Sequence, residues 1–333
     1  LAHRRQRQMC IRDSKETFRH AKDWIITNQK NDGAICWDEK GKFDAWDHSE
    51  CLLALAIFEE WANFDKGLEY VFNNINSEGL IISETIKDKV TKDYYEPHHA
   101  AYIFLPLVQK YMIDGDASYI QKYQEKLKLI FEGMMKFRDT DGLFFWALDT
   151  KGFADNSLIT ASCSLELSRR AYSFLCTNVL QEEDQEDTNF FNLETFHSSR
   201  FNRDGIDRAR FSMDSYYPYL IDCGDVDNID QLLNKFYVEG LGIKCVEEEP
   251  WVTIAESSEC CIALHKAGKT AEAKKIFNDV MQHMNKDGIF PTGYQYKLDI
   301  NWPDEHSTWT NAAAIIAADC LYDLTQKDKA LLL

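Results

Sequence analysis

Cationic residues are in short supply. Lys and Arg number 37 against 55 Asp and Glu in 333 residues, a formal net charge of −18 at pH 7. Gripping a phosphate backbone or an anionic bilayer takes clustered Lys and Arg, which this chain lacks, so nucleic-acid partners are not expected. No stretch approaches the ~18 consecutive apolar residues of a membrane-spanning helix, so no integral membrane segment is expected either. Cysteine occurs ten times but never as C-x-x-C. Cys51, Cys163, Cys260 and Cys320 fall on apolar helix faces, the pattern of buried free thiols in a reducing cytoplasm rather than of disulfides. A G-x-S-x-G elbow and a partnered Cys are also missing, which argues against a Ser or Cys nucleophile.

Arg4 to Ser14 reads Arg-Arg-Gln-Arg-Gln-Met-Cys-Ile-Arg-Asp-Ser and resembles one reading frame of a sequencing-library adapter. Residues 1–14 are therefore expected to be a cloning or assembly scar, and residues 15–333 a single domain without a linker. With 45% hydrophobic and 13% aromatic residues, that domain can bury a large core.

What is present is helical periodicity, apolar residues recurring every three or four positions, with long strand-like alternation scarce. The pattern predicts twelve helices, at about 15–30, 47–63, 65–75, 97–113, 117–138, 158–179, 188–202, 213–222, 229–238, 253–267, 270–285 and 307–325. Punctuation repeats between them. Asp32-Gly33 and Asp141-Gly142 are each followed, four residues after the Gly, by Trp37 and Trp146. Asp287-Gly288 leads to Phe290 and Tyr294, and Glu78-Gly79 is a degenerate copy. Each follows an odd-numbered helix, and even helices are richer in small apolar residues, as in Ala312 to Ala318. Six hairpins with apolar even members predict an all-α (α/α)6 barrel, even helices inside and odd ones outside. The acidic run Gln181 to Asp187 reads as a solvated loop.

If the inner helices share one direction, their N-termini meet at one end. Those entrances hold Asp44, Trp46, Asp47, His48 and Glu50; Tyr94, Tyr95, Glu96, His98 and His99; Thr160 and Ser162; Asp214, Tyr216 and Tyr217; Trp251, Thr253 and Glu256; and Trp302, Asp304, Glu305, His306 and Trp309. Asp47, Ser49, Thr160, Ser212, Asp214, Thr253 and Ser307 are individually good N-cap types. Capping does not, however, call for tryptophans, tyrosines and histidines beside the carboxylates. The set predicts a cleft in which Asp47, Asp214, Glu256 and Glu305 handle protons. Trp46, His48, Glu50, Glu96, His98, Tyr216, Tyr217, Trp251, Trp302, His306 and Trp309 would bind a small-molecule substrate. No cofactor is expected. A divalent metal stays open, although adjacent His98 and His99 on one helix are not expected to face one point.

The D-G-x-x-x-W punctuation and the hairpins resemble the α/α toroid of terpenoid cyclases, protein prenyltransferase β-subunits and six-hairpin glycosidases. More narrowly, Asp44-Ala-Trp-Asp-His-Ser-Glu50, Phe211-Ser-Met-Asp-Ser-Tyr-Tyr-Pro218, Gly240-Leu-Gly-Ile-Lys-Cys-Val246, Pro250-Trp-Val-Thr253 and Trp302-Pro-Asp-Glu-His-Ser-Thr-Trp-Thr310 resemble bacterial proteins described as prenyltransferase or prenyltransferase-like. That resemblance implies a transferase- or cyclase-like enzyme doing acid-assisted chemistry on an isoprenoid, with Arg210 and Lys244 near a diphosphate. The D-x-D-D of protonating cyclases is absent. Read from the residues alone, paired carboxylates with tryptophans slightly favour a six-hairpin glycosidase-like enzyme acting on a glycan, and a non-catalytic toroid that only binds is the third reading.

Overall fold

The computed structural model describes residues 14–182, 189–202 and 205–333. Its helices are α1 (Arg19–Thr27), α2 (Ala45–Ile57), α3 (Trp61–Asn74), α4 (Pro97–Ala101), α5 (Phe104–Asp114), α6 (Ser118–Lys122) and α7 (Gln124–Met135). They continue with α8 (Ile159–Leu175), α9 (Ser212–Leu220), α10 (Ile229–Phe236), α11 (Ile254–Lys266), α12 (Thr270–Val280) and α13 (Thr308–Tyr322). α2 packs on α5, α5 and α4 on α8, α8 on α9, α9 on α11, α11 on α13, and α13 back on α2, which closes an inner ring. The fold is the expected (α/α)6 toroid.

The layering follows from side-chain distribution. α13 is buried without interruption from Thr308 to Leu321, and α2 buries every residue but Trp46, as a helix surrounded by helices must. Outer α10 instead buries only Ile229, Leu232 and Phe236, one stripe at i, i+3 and i+7. Each large apolar side chain so buried stabilises by about 1.5–3 kcal/mol.

Four copies of one turn carry the chain from an outer helix towards the next inner one. In each, residue i donates its N–H to the carbonyl of i+4 while the glycine at i+3 donates back to i. The pairs are Lys30/Ala34 with Gly33, Asn76/Leu80 with Gly79, Asp139/Leu143 with Gly142, and Asn285/Ile289 with Gly288. Gly33 has φ +105°, and a Cβ there would meet the Lys66 carbonyl oxygen at 2.1 Å, so both backbone and space demand glycine.

Three expectations need correction. Residues 188–202 do not form a helix: the described part holds short 3-10 turns at Leu193–His197 and Ser199–Phe201. Asn192 and Thr195 form a reciprocal capping box, and Ser198 caps the second turn, so side chains take the backbone bonds a helix would need. The 97–113 helix is broken between α4 and α5, because Pro106 has no N–H and its ring would clash with the Tyr102 carbonyl four residues back. Two five-stranded antiparallel sheets were also not foreseen, their strands being two to seven residues long. One runs β1 (Lys42–Phe43), β2 (Ile82–Ile86), β3 (Lys89–Tyr95), β4 (Leu148–Asp149) and β5 (Gly152–Phe153); the other joins β6 (Tyr237–Val238), β7 (Gly242–Lys244), β8 (Trp251–Thr253), β9 (Gly293–Gln295) and β10 (Ile300–Asn301). β1, β3, β8 and β10 each lead into an inner helix, so the sheets rim the end where those helices begin.

Of the acidic run, residues 183–187 lie outside the described residues, as do residues 1–13 of the adapter-like segment. No helix among the described residues is long and apolar enough to cross a membrane.

Candidate active site

Capping accounts for only part of the polar entrances. Asp44 is the N-cap of α2, its Oδ1 accepting the Asp47 N–H at 2.9 Å, and Ser307 caps α13 through Thr310 N–H at 3.0 Å. α8, α9 and α11 have no side-chain cap. Asp47, Asp214 and Glu256 thus sit in first turns without capping them.

An aromatic chain draws the entrances together. Trp37 packs on Trp309 at 5.6 Å between ring centroids, Trp309 on Trp46 at 5.8 Å, and Trp46 on Tyr102 at 5.6 Å. Trp309 shares an apolar cluster with Ala255 and Ala313, and Met213, from the entrance of α9, packs against that cluster. Two buried carboxyls bind members of this layer. Tyr102 donates its hydroxyl to Glu50 at 3.2 Å, while Trp309 Nε1 and the Tyr216 hydroxyl donate to Glu259 at 3.2 and 2.8 Å. Tyr217 lies against Tyr216 at 5.4 Å. Side chains from α2, the α4–α5 junction, α9, α11 and α13 therefore share one network.

Burial sets the protonation states here. It pushes Glu50 up to about 7, against the hydrogen bonds from Tyr102 and Trp309, and pushes Glu259 well above the carboxylate range, with the Glu50 charge adding to it. The charge of either carboxyl thus makes ionisation of the other harder. The rim pair splits. Burial, then the charge of Asp44, raise Asp47 well above its usual value. Burial would raise Asp44 too, but its hydrogen bond with Asp47 and the charges of Lys42 and His99 hold it down to about 2. Asp47 is pushed up and Asp44 held down, the direction that proton donation by Asp47 needs. Glu256 is raised by burial.

The other expected residues divide. Asp214 is buried and receives Arg208 Nε at 2.8 Å. Glu305 accepts from Trp37 Nε1 at 2.9 Å and has Lys40 at 3.6 Å, so it borders the aromatic layer. Trp251 and Trp302 stand edge-to-face at 4.9 Å, Trp251 Nε1 donating to the Trp302 carbonyl at 2.7 Å. They belong to the second sheet's exposed rim with Leu298, not to the inner network. Glu96, His98 and His99 gather at the start of α4. The expectation that the two histidines could not face one point is wrong, because side chains in a first turn lean back towards the helix N-terminus and both reach the residue before it.

His48 and His306 both have protein partners. His48 is fully buried, its Nδ1 accepting the Ile35 N–H at 3.1 Å and its Nε2 3.0 Å from the Gly67 carbonyl, so it staples α2 to α3 and to the first turn. His306 packs on Trp24 of α1 and has Asn285 at 3.4 Å. Arg210 and Lys244 are engaged by Glu248 and the Glu247 carbonyl, which removes the expected diphosphate grip. Sequence reasoning missed Glu259, Tyr102 and Trp37. A signal for Glu259 existed: Asp47-x-x-Glu50 and Glu256-x-x-Glu259 place two acids one turn apart on helices otherwise nearly apolar.

No family model matches the chain. It is 27% identical over 313 residues to the MMP endo-(1,4)-3-O-methyl-alpha-D-mannosidase of Mycolicibacterium hassiacum, covering 92% of this chain and 86% of that protein. Among solved structures it is similar to a glycosidase E335A variant in complex with glucose (TM-score 0.67, 11% identity, 95% of this chain and 98% of that one). It is also similar to a D-mannose isomerase (TM-score 0.65, 10% identity, 93% and 98%). These structural likenesses establish the toroid. The narrower expectation of a prenyltransferase-like or terpenoid cyclase-like protein is overturned, since the similarity over nearly the whole chain is to a protein named a mannosidase.

Proposed function

We propose that the chain is a glycoside hydrolase acting on an α-mannoside-type glycan. The fold by itself does not select this reading, because the toroid also carries an isomerase. What carries it is the aromatic layer of Trp37, Trp46 and Trp309 at an entrance bordered by carboxyls, with Glu305 bound to Trp37 and Asp47 raised by burial beside a lowered Asp44. Asp47 would protonate the leaving glycosidic oxygen, and Glu256 would act on water or the anomeric carbon as the second carboxyl. Trp37, Trp46 and Trp309 offer ring faces for sugars. A hydrocarbon substrate would instead bury these carboxyls without compensation. The likeness to the mycobacterial mannosidase supports the same substrate class. Among the described residues nine cysteines form no disulfide, eight of them buried, which supports work in a reducing cytoplasm.

The test is release of reducing ends from α-1,4-linked manno-oligosaccharides, with and without O-methyl groups, beside a polyprenyl diphosphate control. Turnover of the oligosaccharides alone is expected, and turnover of the diphosphate alone would refute the reading. At the exposed rim, Trp302 is half exposed and offers a platform for a sugar away from the cleaved bond. Trp302→Ala is expected to raise KM for longer oligosaccharides about five- to tenfold, roughly 1–1.4 kcal/mol, with kcat nearly unchanged; steady-state kinetics against oligosaccharide length checks this.

Glu50 supplies a stability prediction. Its folded pKa is raised, so the unfolded chain ionises first and native stability is lost as pH rises from about 4.5 through 7. Glu50→Gln removes that titration. Urea unfolding should show the variant gaining on the wild type between pH 5 and pH 8; a constant difference would show that Glu50 is not held protonated.

A further inference from the structure

The Glu96, His98 and His99 cluster touches the chemistry proposed above only through the charge of His99 near Asp44; none of the three is given a catalytic step. Glu96 immediately precedes α4, His98 and His99 lie in its first turn, and one ligating atom from each falls within 4.8 Å of the others. Glu96 Oε2 is 3.9 Å from His98 Nε2, and Oε1 is 3.6 Å from His99 Nε2. Both distances are too long for hydrogen bonds and close to the edge of a tetrahedron of ligands around zinc, about 3.3 Å for bonds of about 2.0–2.1 Å. Both histidines are more than nine-tenths buried, and neither Nδ1 has a partner. Buried imidazoles normally find one, so two rings whose Nε2 atoms converge on Glu96 while their Nδ1 atoms stay unsatisfied are an unfinished polar site. Ser83 finishes one side of it by donating to Glu96 Oε1 at 2.6 Å, which orients the carboxylate as a supporting partner does in metal centres.

We propose that Glu96, His98 and His99 bind a divalent first-row transition metal, with zinc the best fit, and leave at least one coordination position open. Two imidazoles and one carboxylate are borderline donors that favour zinc over magnesium or calcium, whose sites are built from oxygens. The inference does not depend on the substrate: metal binding and mannoside cleavage can each hold or fail alone.

The test uses the full chain, stripped with a chelator and then dialysed. Calorimetric titration with zinc chloride is expected to show one strongly bound equivalent, and cobalt(II) should give the visible absorption of a tetrahedral or five-coordinate site. His99→Gln and Glu96→Gln should each weaken zinc binding at least about tenfold and abolish the zinc-dependent rise in melting temperature. Glu96 makes no cap hydrogen bond to α4, so Glu96→Gln keeps the fold if a histidine variant does not. Absence of a saturable equivalent in the wild type, or one that persists unchanged in folded Glu96→Gln, would overturn the proposal.

Discussion

Replacing Asp47 by Asn is expected to lower kcat on a mannoside substrate by about three orders of magnitude, within the span attributed to general acid catalysis, while the melting temperature stays nearly constant. The separation follows from position. Asp47 receives no structural duty that Asn cannot perform: Asp44, not Asp47, caps α2, and the Asp47 backbone N–H that completes the cap survives the substitution. What is lost is the proton held on residue 47 by burial and by the neighbouring charge of Asp44. Glu256→Gln should behave similarly, since α11 has no side-chain cap to lose. Equal losses of activity and stability, measured by kinetics and thermal unfolding on the same preparations, would show that these carboxyls hold the fold instead.

The largest stability effect is expected at His48. Its ring joins the Ile35 N–H to the Gly67 carbonyl, both inaccessible to water, and α3 approaches so closely that a Cβ on Gly67 would meet Leu52 at 2.6 Å and His48 at 3.1 Å. His48→Ala strands a buried donor and a buried acceptor and leaves a void, at a cost of about 3 kcal/mol or more. The wild type carries a matching pH signature. Burial lowers the His48 pKa to about 4, with the Gly67 bond opposing only part of that shift. The unfolded chain therefore takes up the proton first, and the stability from His48 is complete above about pH 6.5 and lost as pH falls towards 4. Denaturant unfolding of wild type and His48→Gln across that range should show the gap between them narrowing on the acid side. A gap independent of pH would mean that His48 is not held neutral.

The ring was legible because its signals are local. Apolar helices such as Thr308–Tyr322 and glycine turns such as that at Gly33 can be read residue by residue. The sheets were not, because strands of two or three residues such as Lys42–Phe43 are too short for an alternating pattern to stand out. Of the site, the entrances were legible as acids and aromatics in first turns. Their directions were not: His48 and Glu50 are two residues apart, yet one turns outward to Gly67 and the other inward to Tyr102. Glu259 escaped because its importance comes from Glu50 and Tyr216, which are distant in sequence. Motif resemblance misled on substrate for a related reason. It reported shared toroid scaffolding, whereas chemistry is set by which side chains meet in the middle.

The most direct measurement is a crystal structure of the Asp47→Asn variant with an α-1,4-linked manno-oligosaccharide. The account predicts a glycosidic oxygen within about 2.6–3.2 Å of the residue 47 side chain, sugar rings against Trp46 and Trp309, and Glu256 facing the anomeric carbon. An oligosaccharide bound outside the ring of inner-helix entrances, with residue 47 and Glu256 touching no sugar, would contradict it.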